Sequence, residues 1–428
     1  MKKSNVIARI LALTIIISPH VYGIDNPHFW RATNFLTAFY EPRLARNWLT
    51  SFDATIGYGS THKSRNDICG MKVPLLDIYG VQNMQALGIN VPGKDLTNPG
   101  DILLTQLALL PINDGFGKLS YSGKFTVVEA NLCFSQNLMC GFFVQGHMPV
   151  RRLSVSDIIP CDLSPTDCTN GPNQFTPTWQ AFLTVLPTIF EKYGISPAPT
   201  RTTGVGDISF LGGWTNNYED TREIDYFDTT FRIGILFPTG KTRNEDLAFS
   251  IPNGYNGFYA IPASFDAAAG WYDWFTLGVH FGAMAFIRKD KNLRMRTDCA
   301  QSGFIKLAKG HARVDPGTIW EINAYTKADH LICGFSFLVA YSFANKDRDI
   351  ISPCDLNVFT PTIVNNDQMF LGWKMHTINF IAEWDFATYE CPWYPRVGGF
   401  FNLIVGGRRI FNTNVGGFQI GIDFASDF

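Results

Sequence analysis

The side chains best suited to chemistry in this sequence are two histidines, His147 and His280, one serine, Ser209, and the carboxylates Glu129, Asp207 and Glu383. A serine nucleophile, a histidine base and a carboxylate to orient it would make a hydrolase. No GxSxG or comparable signature ties Ser209 to either histidine. Lone histidines among polar neighbours more often serve as hydrogen-bonded filler than as bases, so no catalysis is expected. Cysteines stand at 69, 133, 140, 161, 168, 299, 333, 354 and 391. None has a CxxC or Cys/His spacing that suits zinc, and neither a metal nor a cofactor is expected. Their odd number leaves at least one unpaired unless it bridges to another chain, and Cys161 with Cys168 is the favoured pair. PTGKT at Pro238–Thr242 lacks the first glycine of a phosphate-binding loop and its strand–loop–helix setting, which argues against nucleotide binding.

These polar residues share a position in an alternating pattern. Glu129, Gln145, His147, Asp207, Ser209, Arg232, His280, Glu383 and Asp385 fall on one parity of segments whose other parity is apolar. A period of two means β-strand. Phe227, Thr229, Phe231, Ile233, Ile235 and Phe237 form one such uncharged row. Phe418, Ile420, Ile422, Phe424 and Phe428 form another in the last strand, opposite Gln419, Gly421 and Asp423. Strands are expected at 47–60, 119–134, 139–152, 203–216, 225–240, 265–288, 303–314, 318–327, 330–345, 370–387, 396–410 and 415–428. A short helix is expected over Thr178 to Tyr193, interrupted by Pro187. Sheets greasy on one face and polar on the other suit a barrel closed on itself in lipid, with polar groups inside.

The chain start supports export. Lys2, Lys3 and Arg9 precede an apolar run from Ile10 to Ile17, and Val21-Tyr22-Gly23 offers a cleavage site before Ile24. Removing that segment leaves 32 basic against 37 acidic side chains, which excludes a generally basic nucleic-acid binder. Charged residues make up 17%, below the roughly 25% of ordinary soluble domains. No stretch reaches the ~18 apolar residues that a spanning helix requires. The expected organisation is a signal peptide at 1–23, a periplasmic lead-in at 24–46 and an all-β transmembrane antiparallel barrel at 47–428. Its long loops lie at 61–118, 153–202, 241–264 and 346–369. Twelve strands are expected, or fourteen if 61–118 hides another hairpin. The long loops fall on one side and short turns on the other, as in outer-membrane barrels; only 289–302 breaks the rule.

Gly204-Val205-Gly206-Asp207-Ile208 followed by Ile235-Leu236-Phe237-Pro238-Thr239-Gly240-Lys241 resembles the phenol-degradation meta-pathway family of outer-membrane transporters. There, a GxGD strand start precedes a strand ending in PTG. The match covers roughly 40 of 428 residues. It implies a pore or carrier for small molecules, apolar ones included. On the residues alone, Gly206 and Gly240 suit strand ends and Pro238 marks a rim. The ending at Phe428 also resembles the C-terminal signal of bacterial outer-membrane barrels. That likeness implies membrane lipid and the outer-membrane barrel assembly machinery as partners, besides a small-molecule solute. The expected function is passive passage of small molecules; a structural or adhesive surface barrel is the rival, and a barrel hydrolase comes third.

Overall fold

The computed structural model describes residues 48–110, 117–164, 176–219, 224–272, 274–332, 334–386 and 393–425. The expected signal peptide and lead-in, the Cys161–Cys168 pair through its second member, and Phe428 lie outside these residues.

Twelve antiparallel strands close into a barrel: β1 (Leu49–Thr61), β2 (Lys118–Asn137), β3 (Phe142–Asp162), β4 (Ile208–Glu219), β5 (Tyr226–Phe237), β6 (Ala260–Trp271), β7 (Phe275–Phe286), β8 (Ile319–Ile332), β9 (Phe335–Lys346), β10 (Trp373–Asp385), β11 (Trp393–Arg408) and β12 (Val415–Ala425). Each pairs with the next, and β12 returns to β1 in register from Leu49↔Ala425 to Gly59↔Val415. Closure leaves no backbone edge unpaired, which lets a sheet stand in hydrocarbon. The alternation read from sequence is inverted relative to a soluble core. In β5, Thr230 and Arg232 are 1% and 3% exposed, whereas Phe231 and Ile233 are 47% and 51% exposed. The same outward apolar belt runs through Phe52, Ile56, Phe210, Phe265, Phe281, Phe401 and Ile420. An uncovered apolar surface of this extent marks a membrane contact.

The total of twelve agrees with the sequence expectation through two compensating differences. Residues 265–288 do not form one strand: the chain turns back at Tyr272, which has φ +57°, and gives the hairpin β6–β7. Residues 303–314 do not cross the barrel. Lys309–Asp315 belongs instead to a small sheet between Lys289–Arg294 and Ile350–Pro353. The excursion 287–318 therefore joins the other long connections, and the one exception to the loop rule disappears. Segment 61–118 adds no barrel hairpin. Its described part holds short strands and a helix, α1 (Pro99–Ala108), begun by Asn98, whose side chain accepts the Gly100 amide at 2.9 Å.

The long connections fold together over one end of the barrel. Their second helix, α2 (Thr176–Lys192), runs through Pro187 rather than stopping at it. Phe182 and Ile189 of α2 pack with Leu104 of α1, Phe249, Phe258, Ile305 and Phe370 in a core shared with the inward residues of the barrel's upper end. Lys192 meets Asp101 at 2.5 Å and Tyr193 donates to the same carboxylate at 3.1 Å, fixing the two helices side by side. Burial by itself would raise the Asp101 carboxyl, but those bonds and the Lys192 charge hold it below the usual carboxylate range.

Candidate functional site: the charged lumen wall

Successive inward positions on neighbouring strands lie side by side, so the polar parity of each strand builds rungs across the wall. One rung reaches from Gln145 on β3 to Arg232 on β5 and on across β6 and β7 to β8. Arg232 forms an ion pair with Asp266 and donates through Nε to Gln145 at 3.1 Å. Asp266 also meets His280 Nδ1 at 2.5 Å, and His280 Nε2 lies 3.2 Å from Glu321. A second rung occupies β10 to β1, almost opposite. Arg396 there lies 3.5 Å from Glu383, 3.0 Å from Asp423 and 2.8 Å from Asp53, while Gln419 donates to Glu383 at 2.9 Å. A third pair, Arg151 and Glu129 at 3.6 Å, joins β3 to β2.

Beside the second rung the wall carries an apolar row, next to the polar pair in which Asn379 donates to Ser342 at 2.6 Å. Leu338, Ile381 and Phe400 are opposite one another in register across β9, β10 and β11, and all are buried. The lumen wall thus carries charged sectors and an apolar row. Its charges are also enclosed: Arg232, Asp266, His280 and Arg396 are each no more than 4% exposed.

Of the residues expected to line the lumen, Gln145, Arg232 and His280 meet in the first rung, Glu383 belongs to the second, and Glu129 pairs with Arg151. His147 stands in register with Cys133 on one side and Ser209 on the other, with its Nε2 4.0 Å from Cys133 Sγ. Asp385 is buried opposite Arg396. Asp207 does something else. It does not neighbour Arg232, whose acidic partner is Asp266; its carboxylate accepts the amides of Gly240 at 2.8 Å and Tyr255 at 2.5 Å.

That contact explains the GxGD and PTG segments. Thr200–Val205 and β4 both pair with β3, and the chain breaks stride between them at Gly206-Asp207. Thr239 donates to the Gly206 carbonyl at 2.6 Å, and Asn253 donates to the carbonyls of Gly204 and Val205 at 2.7 and 3.1 Å. Gly206 must be glycine, since a Cβ there would stand 2.8 Å from both Arg151 Nη1 and the Asn253 carbonyl. Because Arg151 faces inward, the connection 238–259 lies against the inner wall at the barrel mouth. The two motifs are a clasp for an inward-folded loop.

Sequence reasoning missed Asp266, Glu321 and Arg396. Asp266 was lost with the unrecognised strand β6, although its flanking Phe265 and Ala267 already showed the parity. Among the described residues, no group of three or more His, Cys, Asp or Glu could hold a metal ion.

No family model and no curated protein matches this chain. Similar solved structures include an outer membrane channel from Pseudomonas putida F1, at 9% identity over 94% of this chain and 98% of that one, with TM-score 0.46. The toluene transporter TodX of Pseudomonas putida matches at 10% identity over 96% of each chain, with TM-score 0.28. The translocator domain of the autotransporter NalP from Neisseria meningitidis matches at 8% identity over 92% of this chain and 96% of that one, with TM-score 0.34. Likenesses this distant carry no argument about what this chain conducts.

Proposed function

We propose that this chain is an outer-membrane channel for passive passage of small molecules, hydrophobic ones included, through a lumen that its loops hold shut at rest. The observation that carries the reading is the inverted closed barrel: a continuous apolar belt faces outward, and ion-paired rungs with an apolar row beside one of them face inward. Fixed charges on a confined wall select among ions, because low local dielectric weakens screening. The apolar row offers uncharged solutes a surface that the rungs do not. The enclosure of those charges favours a second reading, a structural or adhesive barrel that conducts nothing.

Arg232→Glu is expected to move the reversal potential under a salt gradient toward cation preference, with Arg232→Gln giving a smaller change of the same sign. Asp266→Asn should move it toward anions. Identical reversal potentials in all of these, in folded and inserted protein, would remove the rung from the conducting path.

The same reading places the long connections outside the cell and the short turns in the periplasm, after export by the signal at 1–23. Native cysteines report on it. Cys69, Cys299 and Cys354 are exposed on long connections, and Cys140 is exposed in the β2–β3 turn. Asn137 and Asn253, by contrast, are 2% and 0% exposed and make poor labelling positions. In single-cysteine variants, a membrane-impermeant maleimide should label the first three on intact cells and Cys140 only after the outer membrane is opened. Equal labelling of all four on intact cells contradicts this orientation.

A further inference from the structure

The outer wall of the barrel changes character at one level across three neighbouring strands. On β1 the outward row Phe52, Ala54, Ile56 and Tyr58 gives way to Ser60. On β2, Phe134, Leu132, Ala130 and Val128 give way to Thr126 and Lys124, and on β3, Phe142, Val144, Met148 and Val150 give way to Arg152, Ser154 and Ser156. The change is in register: Tyr58 pairs with Val128, Val128 with Arg152, and Arg152 with Thr203 of the segment Thr200–Val205. An outward apolar row that ends at the same height on adjacent strands marks the boundary between hydrocarbon and lipid headgroups.

Three cations gather at that boundary. Ser154 stands between Thr126 and Arg201 in the ladders, Arg152 precedes it on the same face, and Lys124 is opposite Ser156. Lys124, Arg152 and Arg201 therefore surround Ser154, the two arginines exposed and the lysine half-exposed. None of the three forms an ion pair or a hydrogen bond among the described residues. Among those residues no Asp or Glu occupies an outward position of the barrel ladders, and Asp157, at the bulge beyond Ser156, is exposed and forms no ion pair. Like charges in neighbouring ladder positions repel. A phosphate shared among them removes that repulsion and accepts their N–H donors. The hydroxyls of Thr126, Ser154, Ser156 and Thr203 share the same face, and hydroxyls suit sugars. A second outward pair, Lys374 and Arg408, stands opposite in register across β10 and β11 and is separated from this patch by β12 and β1.

We propose that Lys124, Arg152 and Arg201 form an outer-wall site for a phosphorylated, acylated disaccharide of the outer leaflet, with its phosphate among the three cations and its acyl chains along the apolar rows. The choice of a glycolipid over a glycerophospholipid rests on the orientation proposed above, with the loop end outside. It does not rest on conduction.

The test is native mass spectrometry of the full chain in detergent micelles, titrated with diphosphoryl lipid A and with phosphatidylglycerol. Lipid A should be retained in preference to phosphatidylglycerol, and millimolar inorganic phosphate should not displace it. The triple variant Lys124→Gln, Arg152→Gln, Arg201→Gln should weaken retention roughly a hundredfold, at about fivefold for each cation, whereas the double variant Lys374→Gln, Arg408→Gln should change it less than about twofold. All five positions lie on the outer wall, and the heat-dependent shift in electrophoretic mobility verifies that each variant is folded. The proposal is overturned by phosphatidylglycerol retained as well as lipid A, by displacement with inorganic phosphate, by wild-type retention in the triple variant, or by equal weakening in both variants. The cysteine labelling described above fails separately. Inverted labelling removes the orientation and the glycolipid with it, while the expected labelling without lipid A retention removes this site alone.

Discussion

Asp207→Ala barrels in planar bilayers are expected to conduct several-fold more than the wild type, with longer open times. The Asp207 carboxylate accepts two loop amides, from Gly240 and Tyr255, and is itself buried. Alanine leaves both donors without an acceptor, at about 1 to 3 kcal/mol for each buried group left unpaired. A shift of about 2 kcal/mol in the loop's docking equilibrium is roughly a thirtyfold change in its undocked population. The barrel itself should survive, because Asp207 lies at the break between Val205 and Ile208 and not within a ladder. Asn253→Ala removes the other half of the clasp and should act in the same direction. Asp207→Asn keeps one side-chain acceptor and should fall between. Wild-type conductance in both alanine variants would mean that the connection 238–259 is not in the conducting path.

A comparable effect on folding is expected at the outer surface. Ile233 is 51% exposed in the middle of β5, between Phe231 and Ile235. In lipid, Ile233→Arg should cost about 2 to 4 kcal/mol, the penalty for arginine near the bilayer midplane of a barrel. Ile233→Phe keeps the surface apolar and should be close to neutral. Urea titration of refolding into bilayers reads both. Equal stability of the two variants means that this row does not face lipid, and the inward assignment of Arg232 then falls with it.

The parts of the fold legible in the sequence were those where burial on one side alone sets the residue type. β5 and β12 keep the alternation along most of their length, and β9 and β10 keep an apolar outer face over Phe335–Phe343 and Ile378–Trp384, because lipid there leaves no tolerance for a one-residue slip. The hairpin β6–β7 was missed because Ala267-Ala268-Ala269-Gly270 blurs the parity and the turn at Tyr272 carries neither Pro nor Asn-Gly. The opposite error came at 303–314: its alternation is real, but Ala312 and Val314 bury into the cap core and not into the barrel. Strand β3 also runs ten residues past its expected end at 152, to Asp162, since Leu153 and Val155 are spent on that same core. Parity identified the inward residues well. It could not say which of them meet, because that depends on the register between strands far apart in sequence. Arg232 and Asp266 are neighbours only through the pairing Ser264↔Arg232, and Arg396 reaches Asp53 only through closure of β12 on β1. The motifs at 204–208 and 235–241 were visible as a resemblance, and Gly206 and Pro238 do sit at the rim, but their clasp on Tyr255 and Asn253 required the loop to be seen folded inward.

The most direct test of the channel is solute flux into proteoliposomes holding the folded barrel, using a panel of ions, sugars and uncharged hydrophobic compounds. Folding and insertion are verified first by the heat-dependent shift in electrophoretic mobility. Wild-type protein should admit at least one class of small solute faster than protein-free liposomes do, with small hydrophobic compounds admitted in preference to sugars, and Asp207→Ala should admit all of them faster. Folded, inserted protein that passes no ion and no solute, in the wild type and in Asp207→Ala alike, contradicts the account and leaves the structural or adhesive barrel in its place.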